Sequence, residues 1–214
     1  MHDTFKLKPC RNDGELVQKI GEDVRKKLQP IIDEMYAIQV PAKKLIIDNG
    51  DKVKIWRRGP LKKDERTGIP SYWSADNSGE GPEIAEVINE YWLHVWGKYE
   101  VSELREGWKY EIHFVMKLKH DLEMESLGKF ILDVPGGISQ QNIESLYMKP
   151  KEKWVEVKVG EFVAQNRKGN LEFHFYASDD DTIRKSGICI LGARIVPVFF
   201  PRLNIPSVPA KTTC

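Results

Sequence analysis

A chain of 214 residues with 33 Lys+Arg against 32 Asp+Glu carries a formal charge of +1, which leaves no global field to draw in nucleic acid or an anionic membrane. Its 41% hydrophobic and 30% charged residues exclude extended disorder, and the length suits one well-buried domain with an appendage. The first twenty residues hold no apolar run of the signal-peptide kind, and no stretch is long enough to span a bilayer, so a soluble cytosolic product without membrane insertion is expected.

Residues 12–36 read as helical. Asn12 caps, Glu15 completes a capping box, and Leu16, Ile20, Val24 and Leu28 recur on one stripe. Pro30 is expected to kink or end this run before "IIDEMYAI". Residues 1–42 therefore form a helical extension whose stripe must pack on the main domain or on a partner. From residue 43 the period changes to two. "KLII" and "KVKIW" precede the charged loop "RRGPLKKDERTGIP" and then "SYWSADNSGEGP".

In "YWLHVWGKYE" the alternation sets Tyr91, Leu93, Val95 and Tyr99 against Trp92, His94, Trp96, Lys98 and Glu100. "WKYEIHFVMKLK" sets Tyr110, Ile112, Phe114, Met116 and Leu118 against Glu111, His113 and Lys117. "WVEVKVGEF" and "LEFHFYA" alternate in the same way, with Trp154, Glu156 and Lys158, and then Glu172, His174 and Tyr176, on the polar side. "GICILGARIVPVFF" is apolar on both faces, which fits a central strand that Pro197 interrupts. The segment "SLGKFILDVPGGISQQNIESLYMKPKEK" is the least readable, although "PGG" marks a turn. Short alternating strands between turn residues predict a mainly β fold: an antiparallel β-sandwich over residues 43–200, with the amino-terminal helical extension and a Pro-rich tail over 201–214.

No phosphate-cradling Gly-rich loop, nucleophile elbow or paired-histidine zinc motif is present, so a non-enzyme without cofactor or metal is expected. His94, His113 and His174 fall on polar strand faces and read as solvent-facing side chains rather than metal ligands. The cysteines, Cys10, Cys189 and Cys214, are too few and scattered for a disulfide framework. Cys189 reads as a small buried apolar residue. Cys10 and Cys214 are either idle thiols or intermolecular crosslinks.

The informative feature is aromatic residues on polar faces: Trp56, Trp92, Trp96, Trp154 and Tyr176, with Tyr72 and Trp73 in the following loop. A rigid indole can stack on the C–H face of a sugar while neighbouring polar groups bond its hydroxyls. The competing explanation for any single tryptophan is cover by a loop, the helix or a partner. The stretch "KVKIWRRGPLKKDER" also suits single-stranded RNA, though Asp51, Asp64 and Glu65 dilute its charge.

Together, "IWRRGP", "SYW", "YWLHVWGKYEVSELREGWKYEIHFVMKLK", "KWVEVKVGEF", "GNLEFHFY" and "RKSGICILGARIVP" resemble the phloem protein 2 family, plant lectins of the Nictaba type. The resemblance runs from about residue 43 to about residue 200. It implies a dimerising β-sandwich that binds N-acetylglucosamine oligomers such as chitin fragments and the N-glycan core. It ties Trp56 and Trp73, with Tyr72, to sugar binding, and leaves Trp96, Trp92 and Tyr176 to extend the platform. It further implies sieve-element and companion-cell localisation, a part in phloem defence and sieve-tube sealing, linkage to phloem filament protein through Cys10 and Cys214, and association with RNA. Two departures, His94 where an acidic residue is common and Trp96 where Tyr occurs, bear on sugar preference.

Overall fold

The computed structural model describes residues 22–24, 26–31, 36–48, 56–61, 68–70, 73, 82–124, 127–165, 168–177 and 182–198. Cys10, Tyr72, Cys214 and the tail 201–214 lie outside the described residues.

The strands form two antiparallel sheets. In the first, β3 (Trp56–Pro60), β4 (Glu83–Val87), β11 (Ser186–Val198), β6 (Lys109–Glu123) and β9 (Trp154–Val163) lie in that order. β1 (Ile38–Pro41) adds to β11. The second runs β2 (Ile46–Ile47), β5 (Leu93–Glu100), β10 (Asn170–Ala177), β7 (Leu127–Val134), β8 (Ile138–Ser145). The predicted antiparallel sandwich is therefore the fold. Its first strand begins upstream of residue 43, because β1 already pairs with β11 over Ile38↔Ile195 to Pro41↔Gly192.

The alternation read from the sequence turns directly into burial. Ile112, Phe114, Met116 and Leu118 of β6 face Val95, Leu171, Phe173, Phe175, Phe130 and Leu132 of the other sheet, all at or near zero exposure. Phe114 of the first sheet meets Phe173 of the second edge-on at 5.8 Å and lies 6.2 and 6.1 Å from Phe130 and Phe175, so aromatic packing bolts the layers together, while Phe130 stacks on Phe175 at 4.9 Å within the second sheet. Gly97 makes room for this packing: a Cβ there would meet the Phe173 ring at 2.5 Å.

β7 and β8 form a hairpin that the sequence left unread. Pro135, Gly136 and Gly137 turn the chain, with positive φ at both glycines, and Val134 pairs with Ile138. β8 is polar on both faces and lies at a sheet edge. Its Gln140 donates to the Glu161 carbonyl at 2.6 Å and accepts from the Glu161 N–H at 3.1 Å, while Asn142 donates to the Lys158 carbonyl at 2.8 Å. Side-chain amides thus join the edge strands β8 and β9 where no backbone ladder does.

Two expectations are corrected, at Pro197 and at Tyr91. Pro197 does not interrupt β11, which continues to Val198; the β1 ladder ends at Ile195, so a residue without N–H is tolerated beyond it. Pro30 lies within helical residues 26–31, and Gln29 donates to the Pro197 carbonyl at 2.7 Å. Tyr91 is not a core residue but 49% exposed, because β5 starts only at Leu93. The Glu90 carboxylate accepts from the Tyr91 and Trp92 N–H groups and holds both in a bend before the strand.

Candidate functional site

The outer face of the second sheet carries the rings that the alternation placed on its polar side. β5 contributes His94 and Trp96, and β10 contributes His174 and Tyr176. Register puts His94 opposite Tyr176 and Trp96 opposite His174, so each imidazole gains an aromatic cross-strand neighbour. The planes are nearly parallel. His94 lies 4.1 Å from Tyr176 at 5°, Trp96 lies 5.7 Å from His174 at 20°, and the two imidazoles are 5.4 Å apart at 17°.

A chain of polar contacts runs through the imidazoles. His94 Nδ1 is 3.0 Å from Asp48 Oδ2, His94 Nε2 is 3.1 Å from His174 Nδ1, and His174 Nε2 is 3.4 Å from Asp133 Oδ2. Both imidazoles are largely covered, at 15% and 12% exposure, whereas Asp48 and Asp133 stand open at 42% and 47%. Burial pushes the His174 imidazole below its ordinary value, and His94 adds to the effect. Burial pushes the Tyr176 phenol up, with help from Asp133 and Asp48. The register extends the face sideways: Ile46 flanks Trp96, Ile131 flanks His174, and Lys129 flanks Tyr176, with the exposed Ile143 beyond. Half-buried rings between apolar shoulders, with open carboxylates at either end, can grip a flat ligand that is apolar on its face and hydroxylated at its rim.

The first sheet's outer face is covered instead. Leu61, Trp73, Ile84, Val115, Cys189 and Leu191 form a second apolar cluster, with Ile69 and Trp154 packed against it. Trp73 is 4% exposed, and a Cβ on Gly192 would meet its ring at 2.6 Å. The expectation that Trp73 offers an open stacking face meets a ring plugged into this cluster. Trp56 opens β3 opposite Val87, and its side chain lies outside the described residues. Burial pushes the Cys189 thiol up to about 12, as expected of an inert buried cysteine.

Beside that cluster runs an ionic strip in which Lys158 bonds Glu111 at 2.9 Å and Glu161 at 2.6 Å. The His113 hydrogen bond, with Lys158, holds the Glu111 carboxyl down at about 2. His113 thus sits on the opposite sheet from His94 and His174. Among the described residues no group of three or more His, Cys, Asp or Glu is placed to hold a metal ion.

The structure therefore brings Trp96 and Tyr176 together and separates both from Trp73. Trp92, 49% exposed, stands off β5 and outside the ring group. Reading the histidines as independent solvent-facing side chains missed their pairing. The signal was present as His-x-Trp in "LHVW" and His-x-Tyr in "FHFY", two motifs that an antiparallel register sets head to tail.

A family model described as phloem protein 2 matches residues 36–197. The chain belongs to the phloem protein 2 family. It is 32% identical over 127 residues to the protein phloem protein 2-like A5 of Arabidopsis thaliana, a match covering 58% of this chain and 31% of that one. It is 26% identical over 159 residues to a lectin of Luffa acutangula, covering 73% of this chain and 68% of the lectin. The chain thus spans less than a third of that Arabidopsis relative. Among solved structures, a CBM22-1 xylan-binding domain from Paenibacillus barcinonensis aligns over 77% of this chain and 94% of its own, at 12% identity and a TM-score of 0.40, a likeness too low to carry a site or ligand across.

Proposed function

We propose that this phloem protein 2 family member is a non-catalytic lectin that takes N-acetylglucosamine oligomers on the outer face of its five-stranded sheet. The observation that carries the reading is the set of parallel rings on β5 and β10, flanked by exposed Asp48 and Asp133. Trp96 and Tyr176 supply apolar contact to the sugar face, and the carboxylates accept its hydroxyls. The similarity to a Luffa lectin supports the class of ligand. Trp73, being buried, braces the other sheet, and Trp56 and Tyr72 are the residues through which a rival site there would act. A single sugar unit binds weakly at an open face, so a homodimer supplies avidity for polymers. In the same reading the protein acts in phloem defence and sieve-tube sealing, in sieve elements and companion cells. Cys10 and Cys214 then link it to phloem filament protein.

The test is retention on a chitin column. Trp96→Ala and Tyr176→Ala lose retention while remaining folded, and Trp56→Ala keeps it. Folded Trp96→Ala retained like wild type, with Trp56→Ala released, moves the site to the six-stranded sheet. The RNA reading is weaker. Arg57 of its basic stretch bonds Glu86 at 2.6 Å, and Arg58 donates to the Ala42 carbonyl at 3.2 Å, which leaves less charge for phosphates.

A further inference from the structure

Of the strands that end the two sheets, β8 is the one left bare. β3 carries Arg57, Arg58 and Pro60, and β2 is two residues long. β9 gives its Lys158 carbonyl and both Glu161 backbone groups to Asn142 and Gln140. β8 runs for eight residues, "ISQQNIES", without Lys, Arg or Pro, and among the described residues no strand pairs with its outer edge. Shortness, basic side chains and proline are the usual guards against strand addition, and β8 has none of them. At its hairpin end lies a cavity of about 150 Å³, lined by Val101, Val134, Pro135, Ile138, Phe162 and Val163, with room for one large apolar side chain. Ile138 and Val163 are 52% and 44% exposed there. At the other end of β8, just past Ser145, Met148 is 84% exposed, the most exposed large apolar side chain among the described residues.

We propose that two copies of this chain pair along β8, antiparallel about a two-fold axis at Gln141, and that Met148 of each copy enters the cavity at the hairpin end of the other. A two-fold interface presents one patch to itself, so a knob and the hole it fills sit at opposite ends of the shared strand. β8 has that arrangement. Antiparallel pairing sets side chains of one face against each other. Centred on Gln141, it puts Gln141 against its own copy, Ile143 against Ser139 and Gln140 against Asn142. The turn Leu146–Met148 follows directly, anchored in the core by the fully buried Leu146. The same step count carries Tyr147 to Pro135 and Met148 to Val134, two residues of the cavity wall. An unbranched thioether suits an irregular apolar cavity. The single charge on β8, Glu144, already bonds Lys149 at 2.9 Å, so the seam receives no unpaired charge. An axis normal to the sheet makes one sheet of ten strands and leaves both ring groups on the same side. β10 and its copy are then five strand spacings apart, roughly 24 Å, within reach of one polymer chain. That consequence rests on the sugar-binding reading of the face; the pairing of the chains does not.

Sedimentation of the full chain across the micromolar range tests the pairing. Wild type is expected to dimerise, and Met148→Asp and Val163→Asp are each expected to weaken the dimer by about thirtyfold or more, the loss of an interface hot spot. Met148 is open to solvent in the single chain, so Met148→Asp folds as wild type does, which circular dichroism checks, and it decides the case if Val163→Asp does not fold. A second measurement reads the register. In a Cys10→Ser, Cys214→Ser background, Gln141→Cys is expected to form a disulfide between copies under mild oxidation, since opposed residues of an antiparallel pair lie about 4.5–5.5 Å apart at Cα. Ser139→Cys, four residues along from its own copy, stays uncrosslinked on the same gel. A monomeric wild type, a dimer untouched by Met148→Asp, or a crosslink at Ser139→Cys in place of Gln141→Cys overturns the proposal. Chitin separates this outcome from the sugar reading: Met148→Asp keeps wild-type affinity for chitotetraose and leaves a chitin column earlier. A wild-type dimer that ignores chitin sinks the sugar reading and leaves the interface standing.

Discussion

The two sheets present their outer faces to opposite fates. Both are built from strands that alternate apolar with polar or aromatic residues, and both carry tryptophans on the side away from the main core. On the six-stranded sheet Trp73, Leu61 and Ile69 close over Val115, Cys189 and Leu191. On the five-stranded sheet Trp96, His174, Tyr176 and His94 are left half-buried and stacked on one another, with open carboxylates beside them. An outward tryptophan is thus no evidence of a site by itself; what separates a brace from a platform is whether another segment covers it.

This contrast breaks most visibly at Trp73. Trp73→Ala removes a large side chain at 4% exposure and leaves a cavity over Gly192, with an expected loss of about 3–5 kcal/mol in urea unfolding. A loss below about 1 kcal/mol, the range of surface changes, would show that the second cluster does not brace the sheet. The closed edge comes next. Gln140→Ala strips the partner from both backbone groups of Glu161 and is expected to cost about 1–3 kcal/mol, read by the same unfolding curve; an unchanged midpoint would mean that the β8–β9 seam carries no weight.

Trp96→Ala is the counterpart on the open face. Its stability cost stays below that of Trp73→Ala, while chitotetraose affinity falls by about tenfold or more, as for an aromatic anchor at a binding face. The smallest effect is electrostatic. Glu111 sits on the covered side, with its folded value held at about 2 against an ordinary 4.5. A depressed carboxylate contributes stability that is present above 4.5 and lost as pH falls toward 2. Glu111→Gln should therefore flatten the stability profile in that acid window and leave the profile near neutrality unchanged. An identical acid slope in the variant would place the protonation elsewhere.

Much of the fold was legible because burial follows period two: Tyr110 through Leu118, Val157 and Val159, and Leu171 through Phe175 all face the core as their alternation predicts. β7 was harder to read because Ile131 and Leu127 put apolar residues on both faces, and β8 because an edge strand needs little apolar content. The extent of β11 was missed at Pro197, where tolerance depends on which flank has a partner, a property of topology rather than of local sequence. At the candidate site, the identities of Trp96 and Tyr176 could be read from the strands, but their meeting could not. Register across residues 94 and 176 is long-range information, and so is the packing of Trp73 against Val115, Cys189 and Leu191. The same gap hid the histidine pair, whose members lie on separate strands and whose contact exists only once β5 and β10 are aligned.

The central claim is that the open sheet, and not the covered one, meets the sugar. Amide chemical-shift mapping during titration with chitotetraose tests it directly. Shifts are expected to concentrate on residues 93–98 and 170–177, with smaller ones at Asp48 and Asp133. Shifts confined to β3 and the segment around Trp73, with β5 and β10 unmoved, would contradict it.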